Sequence, residues 1–275
     1  MRSFDIPGDI PGDLAADHNL LMMAAWEAGT IALDYFNGEV KSWDKKHDDP
    51  VSEADLEIDQ LLKDRLLGAR PNYGWLSEET EDDSSRLTRH RSWVVDPIDG
   101  TRGFIAGRAE FTVCAALIED GRPIAGVVFN PATDEFFEAT DGGGARLNGQ
   151  TIRVGTTDSL AQTKLLSTEK IHGKLREWAP ECHTVTRTYL NSIAYRIVLV
   201  AANRYDAAVS IHYLNDWDLA AADLIVREAG GVATDHAGNL FRYNGETTQQ
   251  LCMVVANPAL QPRLVEFVKY ARANW

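Results

Sequence analysis

Two aspartates stand three positions apart at the end of an apolar run, in residues 93–101 (WVVDPIDGT). The apolar residues predict a buried strand, and Pro97 and Gly100 predict a bend after it. Such a bend can direct Asp96, Asp99 and the carbonyl oxygen of Ile98 toward one point. Hard cations prefer several oxygen ligands, and a glycine lets backbone N–H groups approach a phosphate oxygen. The string therefore predicts a site for divalent cations and phosphate.

The same dipeptides have a simpler interpretation, because Asp-Pro and Asp-Gly are common in turns that carry no function. A turn, however, requires neither two acids immediately after an apolar strand nor the Ile, Gly and Thr found around them here. We therefore favour a binding site over a simple turn for this string.

Other acids of interest also have structural interpretations. Ser52 and Asp55 have the spacing of a helix capping box, which needs no further function. Glu78 and Glu79 could be solvated loop charges, and Asp218 could cap the helix that follows it. A carboxylate at a helix N-terminus can nevertheless cap the helix and bind a cation through different oxygens.

Four segments resemble, in order, motifs of the inositol monophosphatase superfamily, which includes inositol phosphatases, bisphosphate nucleotidases and fructose bisphosphatases. They are residues 50–55 (PVSEAD), 76–79 (LSEE), 96–101 (DPIDGT) and 215–221 (NDWDLAA). Ser52 stands where the family usually has threonine, a position that mainly needs a hydroxyl. The resemblance implies a phosphoric monoester hydrolase with a layered α/β (α+β) fold, a five-layer αβαβα sandwich.

The resemblance also implies a set of metal ligands with two Mg²⁺ sites that share Asp96. One site adds Glu78 and the carbonyl oxygen of Ile98, and the other adds Asp99 and Asp218. A third, weaker ion is expected near Glu78. Two cations that flank a phosphate can activate water and neutralise the leaving oxygen in an in-line displacement.

The remaining site residues implied by the resemblance act on water and substrate. Asp55 is expected to accept a hydrogen bond from the Thr101 hydroxyl, which in turn orients the attacking water and helps to deprotonate it. Backbone donors near Gly100 and Thr101 are expected to bind the phosphate, without a phosphoenzyme. Ser192 is expected near the substrate, because the family has Gly-Ser close to this position.

The substrate is left open by the sequence. Residues 101–113 (TRGFIAGRAEFTV) resemble the bisphosphate nucleotidase branch, which favours a 3'-phosphoadenosine 5'-phosphate-type nucleotide, whereas residues 127–131 (VVFNP) resemble the inositol 1-phosphate branch. Fructose 1,6-bisphosphate and histidinol phosphate are further alternatives. A catalytically weak regulatory protein of the same fold is a second hypothesis, but the intact acids favour an enzyme.

Periodicity predicts two helices, an antiparallel sheet, and then shorter strands alternating with helices. Helices are predicted over 20–35, from 52 to Gly68, over 192–202 and 218–229, and from about Pro258 to Arg272. We expect two halves, residues 1–158 with the helix pair and antiparallel sheet, and residues 159–275 with a mixed α/β arrangement that contributes Asp218. The site is expected between them.

Composition narrows the choice of compartment and partner. The 275 residues include 27 basic and 41 acidic side chains, a formal charge of −14, which disfavours nucleic acid as a partner. The apolar run over 193–202 is too short to span a membrane. Three scattered cysteines and an N-terminus without a signal-like apolar stretch favour the cytoplasm. The resemblance adds a small phosphorylated metabolite as substrate, lithium sensitivity and a homodimer.

Overall fold

Two helices near the start of the chain form the first layer of the fold. The computed structural model of the protein describes residues 12–46 and 49–275, so the start of the predicted N-terminal half lies outside the described residues. Helix α1 (Gly12–Phe36) buries Leu21, Ala25, Ala28 and Ala32, which recur at helical spacing. It begins well before the predicted residue 20. Helix α2 (Glu53–Ala69) follows the short hairpin β1 (Ser42–Lys46) and β2 (Asp49–Ser52).

A seven-stranded sheet packs against these helices. Its strands lie in sequence order: β3 (Gly74–Ser77), β4 (Arg91–Asp99), β5 (Thr112–Glu119), β6 (Arg122–Asn130), β7 (Glu135–Thr140), β8 (Gly144–Leu147) and β9 (Gln150–Thr151). From β4 to β9, each strand is antiparallel to the next one, as predicted. Strands β5 and β7 are almost wholly buried, because layers cover both faces of the sheet.

The first pair of this sheet corrects the prediction of a wholly antiparallel sheet, because β3 runs parallel to β4. The connection between them contains a 3₁₀ turn, Ser85–Thr88, instead of a tight hairpin. Its Arg86 is buried and donates hydrogen bonds to Asp82, to Asn244 Oδ1 (2.9 Å) and to the carbonyl oxygen of Gly245 (3.0 Å). These bonds fix the crossover that a turn-based interpretation of the sequence misses.

Helices from the second half of the chain form the middle layer. They are α5 (Ile193–Ala201) and α6 (Asp216–Glu228), and nearly every residue of α5 is buried. A helix that is apolar on all sides is expected where structure covers it on all sides. Here α6 lies so close to β6 that a Cβ added to Gly126 would stand 3.0 Å from the carbonyl oxygen of Ala221.

A second sheet and two more helices complete the fold. The sheet has the order β11-β10-β12-β14-β13, with β10 (Lys164–Leu166), β11 (Thr186–Thr188), β12 (Ala207–Asn215), β13 (Val232–Thr234) and β14 (Gln249–Ala256). Parallel and antiparallel pairs are both present. Helices α4 (Glu169–Trp178) and α7 (Gln261–Ala273) share an apolar cluster with its outer face. Helix α4 was not predicted.

The layers therefore alternate in the predicted order, αβαβα. Three apolar clusters separate them: α1 and α2 with the first sheet, that sheet with α5, α6 and the second sheet, and the second sheet with α4 and α7. The two sheets divide between Thr151 and Lys164. The division into halves at residue 158 stays a prediction, since the middle layer packs against both sheets. Within the described ranges, every helix is too short or too polar to cross a lipid bilayer.

One buried acid of α6 lies away from the predicted site. Asp223 is 7% exposed, and its Oδ2 accepts a hydrogen bond of 2.9 Å from the Tyr243 hydroxyl. Burial raises the pKa of Asp223 to about 6, although this hydrogen bond and the charge of Arg227 act in the opposite direction. Because the pKa is higher in the folded chain than in the unfolded one, the ionised carboxylate destabilises the fold above that pH.

We predict that Asp223→Asn stabilises the protein by about 1–3 kcal/mol at pH 8. The amide oxygen can still accept from Tyr243, and the gain should shrink as the pH falls from 6 toward 4. Urea denaturation at several pH values measures it. The exposed Asp141→Asn, which removes the partner of Arg227, is the matched control and should change stability little. A destabilised Asp223→Asn protein at pH 8 would contradict the prediction.

Candidate active site

A bulge at the end of β4 places two acids on the same side of the sheet. Asp96 pairs with Cys114 and Asp99 pairs with Thr112, so a three-residue step on β4 faces a two-residue step on β5. In a regular strand, residues three apart point to opposite faces. The extra residue at Pro97 and Ile98 removes this alternation. The predicted bend is therefore present, and it turns both carboxylates toward one point.

Helix α6 brings a third acid to the same point. Asp218 lies in its first turn, and its Oδ2 accepts a hydrogen bond of 2.6 Å from the backbone N–H of Asn215. Asn215, and not Asp218, is the N-cap residue. Carboxylate oxygens of Asp96, Asp99 and Asp218 all lie within 4.8 Å of one another. Capping and cation binding are thus compatible in Asp218, as the sequence indicated.

Asp96 carries the strongest electrostatic conflict of this group. Its side chain is 1% exposed, and neither carboxylate oxygen has a hydrogen-bond partner. Burial, followed by the charges of Glu78, Asp99 and Asp218, raises the pKa of Asp96 well above its usual range. Burial and the charge of Asp99 likewise raise the pKa of Asp218. A carboxylate buried without a partner is costly, and divalent cations bound by its oxygens would remove that cost. The residues therefore fit a cation site.

Glu78 lies beside this three-acid group and lines the adjoining cleft. It follows β3, whose end is held by Asp59 of α2: the hydroxyls of Ser77 and Thr80 both donate to the Asp59 carboxylate. Burial raises the pKa of Glu78 to about 7, with Glu79 and Asp55 adding to the effect. The charge of Glu78 therefore interacts with those of the other acids, although Glu78 does not belong to the group of three whose oxygens lie within 4.8 Å of one another.

A lysine that the sequence analysis missed also contacts this region. Lys45, on the hairpin, donates from Nζ to Glu79 Oε1 (2.8 Å) and lies 3.4 Å from Glu78 Oε1. The ammonium partly offsets the burial of both acids. The hairpin has no strong periodic signal, and Glu78 and Glu79 lie 33 and 34 positions after Lys45, so only the fold reveals this contact.

Ser192 supports Asp99 in the structure. It is fully buried, and its hydroxyl donates to Asp99 Oδ2 (2.6 Å) and accepts from the backbone N–H of Tyr195 as the N-cap of α5. The backbone N–H groups of Ile193 and Ala194 also donate to Asp99 (3.1 and 2.6 Å). The hydroxyl is thus turned toward Asp99 and away from the cleft. The predicted contact between Ser192 and the substrate stays a prediction.

Asp55, Thr101 and Ile98 lie together at one side of the site. The Thr101 hydroxyl is 3.2 Å from Asp55 Oδ1 and 2.9 Å from the carbonyl oxygen of Ile98. The other oxygen of Asp55 accepts from the backbone N–H and the hydroxyl of Ser52 at the start of α2 (2.8 and 2.5 Å). Burial raises the pKa of Asp55, while these hydrogen bonds lower it. The expected pairing of Asp55 with Thr101 is present.

Gly100 connects β4 to the short helix α3 (Thr101–Ile105). Only glycine fits at this position. Its φ is +95°, and an added Cβ would lie 2.9 Å from the carbonyl oxygen of Glu110 and 3.1 Å from Ser192 N. Gly100 borders an open cleft of about 380 Å³. The cleft is lined by Pro50, Glu78, Gly100, Thr101, Arg102, Tyr189, Asn191 and Asp218. Four of these, namely Pro50, Arg102, Tyr189 and Asn191, were not predicted as site residues.

Comparisons with known proteins identify the family of this chain. The sequence model described as "Inositol monophosphatase family" matches residues 13–272. The chain belongs to the inositol monophosphatase family. An inositol-1-monophosphatase of Rhizobium meliloti (strain 1021) is 38% identical over 233 residues, which cover 80% of this chain and 85% of that protein. A histidinol-phosphatase of Chlorobaculum parvum is 32% identical over 92% of this chain and 96% of its own length.

Solved inositol monophosphatase structures share the fold. The structure of an IMPase from Thermotoga maritima superposes with a TM-score of 0.81 at 29% identity, covering 96% of this chain and 99% of that one. The family assignment and the phosphatase names of the relatives establish this chain as a phosphoric monoester hydrolase. The family is generally metal-dependent, in agreement with the acidic group described above.

The role of Ser192 generates a prediction about stability. We expect Ser192→Ala to lower the free energy of unfolding by about 1–2 kcal/mol, because it removes both an N-cap and a hydrogen bond to a buried acid. Denaturation in urea measures this change. Thr168→Ala, which removes the cap of α4 without touching an acid of the site, is the control and should cost less. Unchanged stability of Ser192→Ala would show that the hydroxyl does not support Asp99.

Proposed function

We propose that the protein is a Mg²⁺-dependent phosphomonoesterase that hydrolyses a small phosphate ester by direct attack of water. The observation that carries this proposal is the buried Asp96 carboxylate, which has no hydrogen-bond partner on either oxygen and faces Asp99 and Asp218. A purely structural acid in this position would destabilise the fold with no compensating contact. Bound cations give the group its compensation and its function.

Two Mg²⁺ ions would be held by Asp96 with Asp99 and Asp218, and by Asp96 with Glu78 and the Ile98 carbonyl oxygen. When bound, they would supply Lewis-acid stabilisation of the charge that develops on the phosphate. A third, weaker ion near Glu78 is part of the proposal. The carboxylates of Glu78 and Glu79 favour positive charge at this place, and the Lys45 ammonium already lies beside them.

The Thr101 hydroxyl is placed to manage the proton of the attacking water. It has one hydrogen to donate and two lone pairs to accept with. When that hydrogen is donated to Asp55 Oδ1 and not to the Ile98 carbonyl oxygen, which is also within reach, the hydroxyl oxygen can accept a hydrogen bond from water in the cleft that Thr101 borders. Two hydrogen bonds from Ser52 hold Asp55 Oδ2, and they fix the position of the other oxygen, Oδ1, which faces Thr101. Thr101 thus orients the water, and as the water gives a proton to the Thr101 oxygen, the hydroxyl hydrogen of Thr101 moves toward Asp55 Oδ1.

The phosphate would bind over the segment that begins at Gly100. Gly100 packs closely against Glu110 and Ser192, where a side chain would collide, and both Gly100 and Thr101 border the cleft. Backbone donors of Gly100 and Thr101 hold phosphate oxygens in this proposal. The Arg102 side chain, which also lines the cleft, adds a positive charge at the entrance.

Substrate, assembly and compartment are inferred from relatives and composition. Inositol 1-phosphate and a 3'-phosphoadenosine 5'-phosphate-type nucleotide are the leading substrates; histidinol phosphate, acted on by a 32% identical relative, and fructose 1,6-bisphosphate are alternatives. A homodimer, inhibition by lithium and a cytoplasmic location complete the proposal. The three cysteines are buried and free, in agreement with a reducing compartment. The alternative of a regulatory protein with little catalysis is disfavoured, because Asp55 and Thr101 retain their contact.

The central test of this function is Asp96→Asn. The variant should lose Mg²⁺-dependent phosphate release, and its metal-free form should melt at a higher temperature than the metal-free wild type, because a buried charge is removed. Mg²⁺ should raise the melting temperature of the wild type and not that of the variant. The exposed acid Asp83→Asn is the control and should behave as the wild type. Mg²⁺-dependent turnover by Asp96→Asn would overturn the proposed site.

A second prediction separates proton handling from cation binding. Thr101→Val should lower kcat by about 100-fold or more, since it removes the hydroxyl that orients and activates water. Thr101→Ser keeps the hydroxyl and should stay within about tenfold of the wild type. The Mg²⁺ concentration needed for thermal stabilisation should change little in either variant. Equal activity of the valine and serine variants would exclude this role for Thr101.

A further inference from the structure

An aromatic residue lines the cleft, which is not expected of a site that recognises only polyols. Tyr189 lies between β11 and α5, in the segment that leads to Ser192, and it borders the same cleft as Glu78, Thr101 and Asp218. Its side chain is 48% exposed. Because Tyr189 borders the cleft and about half of the residue is exposed, its ring can offer a flat contact to a molecule in the cleft.

The position of this ring is fixed from behind. The guanidinium carbon of Arg196, on α5, lies 4.6 Å from the centre of the Tyr189 ring. Arg196 is buried, and it donates from Nε to the carbonyl oxygen of Leu190 (2.6 Å) and from its terminal nitrogen to the same oxygen and to that of Asn191 (3.4 Å). The cation therefore holds both the ring and the backbone beside it, so the ring is a preorganised surface.

Other groups of the lining offer donors and few acceptors. Among the described residues that border the cleft, the carboxylates are Glu78 and Asp218, and both belong to the proposed cation site. With its amide oriented to satisfy both partners, Asn191 uses its oxygen to accept from the Gly103 N–H (3.0 Å) and from Arg108. Its NH₂ group is then the part available to a ligand. The acceptor atoms of a heterocycle can bond to this NH₂ group while its flat face lies against the Tyr189 ring.

We propose that Tyr189 is a stacking surface that selects phosphate monoesters whose alcohol part carries a planar heterocycle, the class that includes nucleoside monophosphates. This inference rests on the proposed phosphatase function and specifies its substrate class. The phosphate occupies the segment at Gly100 and Thr101, and the heterocycle lies against Tyr189 at the cleft wall. Stacking of a base on an aromatic side chain is tolerant of the identity of the base, so the proposal concerns the class and not one nucleotide.

The test compares two secondary phosphate esters, adenosine 2'-monophosphate and inositol 1-phosphate, in Mg²⁺ with the purified full-length protein. The ratio of their kcat/KM values should exceed one for the wild type. Tyr189→Leu should lower this ratio by about tenfold, the size expected for loss of one stacked base. Tyr189→Phe, which keeps the ring, should stay within about twofold of the wild-type ratio. Tyr213→Leu removes another exposed tyrosine, which is not among the residues that line the cleft, and should leave the ratio unchanged.

The possible outcomes separate this inference from the proposed function. Failure of the wild type to hydrolyse these two esters and every other substrate of the proposed function would contradict the function itself. Hydrolysis of another of those substrates, but of neither ester, would overturn the inference alone. Hydrolysis of inositol 1-phosphate with a wild-type ratio below one would leave the function in place and overturn the inference. The inference is also overturned if Tyr189→Leu and Tyr213→Leu give the same ratio, or if Tyr189→Phe falls as far as the leucine variant.

Discussion

Repulsion among buried carboxylates is the constraint on which the rest of this structure depends. Asp96, Asp99 and Asp218 approach within 4.8 Å in a region that excludes most solvent, and Glu78 and Asp55 add to the same negative field. In such a medium, like charges cannot all remain ionised unless positive charge is brought among them. Because the chain has an overall charge of −14, its distant side chains do not supply this positive charge on balance. A phosphatase that binds an anion here needs positive charge both to balance its own acids and to attract its substrate.

The fold meets part of this requirement with helix N-termini. Asp55 lies in the first turn of α2, Asp218 lies in the first turn of α6, and Asp99 accepts from two backbone N–H groups and the cap residue of α5. Each helix start offers partial positive charge and free N–H groups to one acid. Asp96 alone among these acids, within the described residues, lacks any such hydrogen bond. The three helix ends therefore hold the site together before cations bind, and Asp96 is left to bind them.

Much of this arrangement could be predicted because local signals agree with it. The capping spacing of Ser52 and Asp55, and the strand followed by Asp-Pro and Asp-Gly, each specify a local geometry that the fold retains. What could not be predicted depends on contacts between distant segments. The parallel pairing of β3 with β4 depends on Arg86 reaching Asn244 and Gly245, and the position of Lys45 depends on a hairpin with weak periodicity. A family motif predicts that Ser192 lies near the substrate, whereas its burial against Asp99 is visible only in three dimensions.

The most direct measurement of the central claim is a crystal structure of the wild-type protein grown in Mn²⁺, with anomalous differences used to locate the ions. Mn²⁺ accepts the same oxygen ligands as Mg²⁺. The account predicts at least two anomalous peaks about 3.5–4 Å apart, with the Asp96 carboxylate bonded to both. An Asp96 carboxylate that remains without a bound ion, in crystals whose Mn²⁺ sites lie only on surface acids, would contradict it.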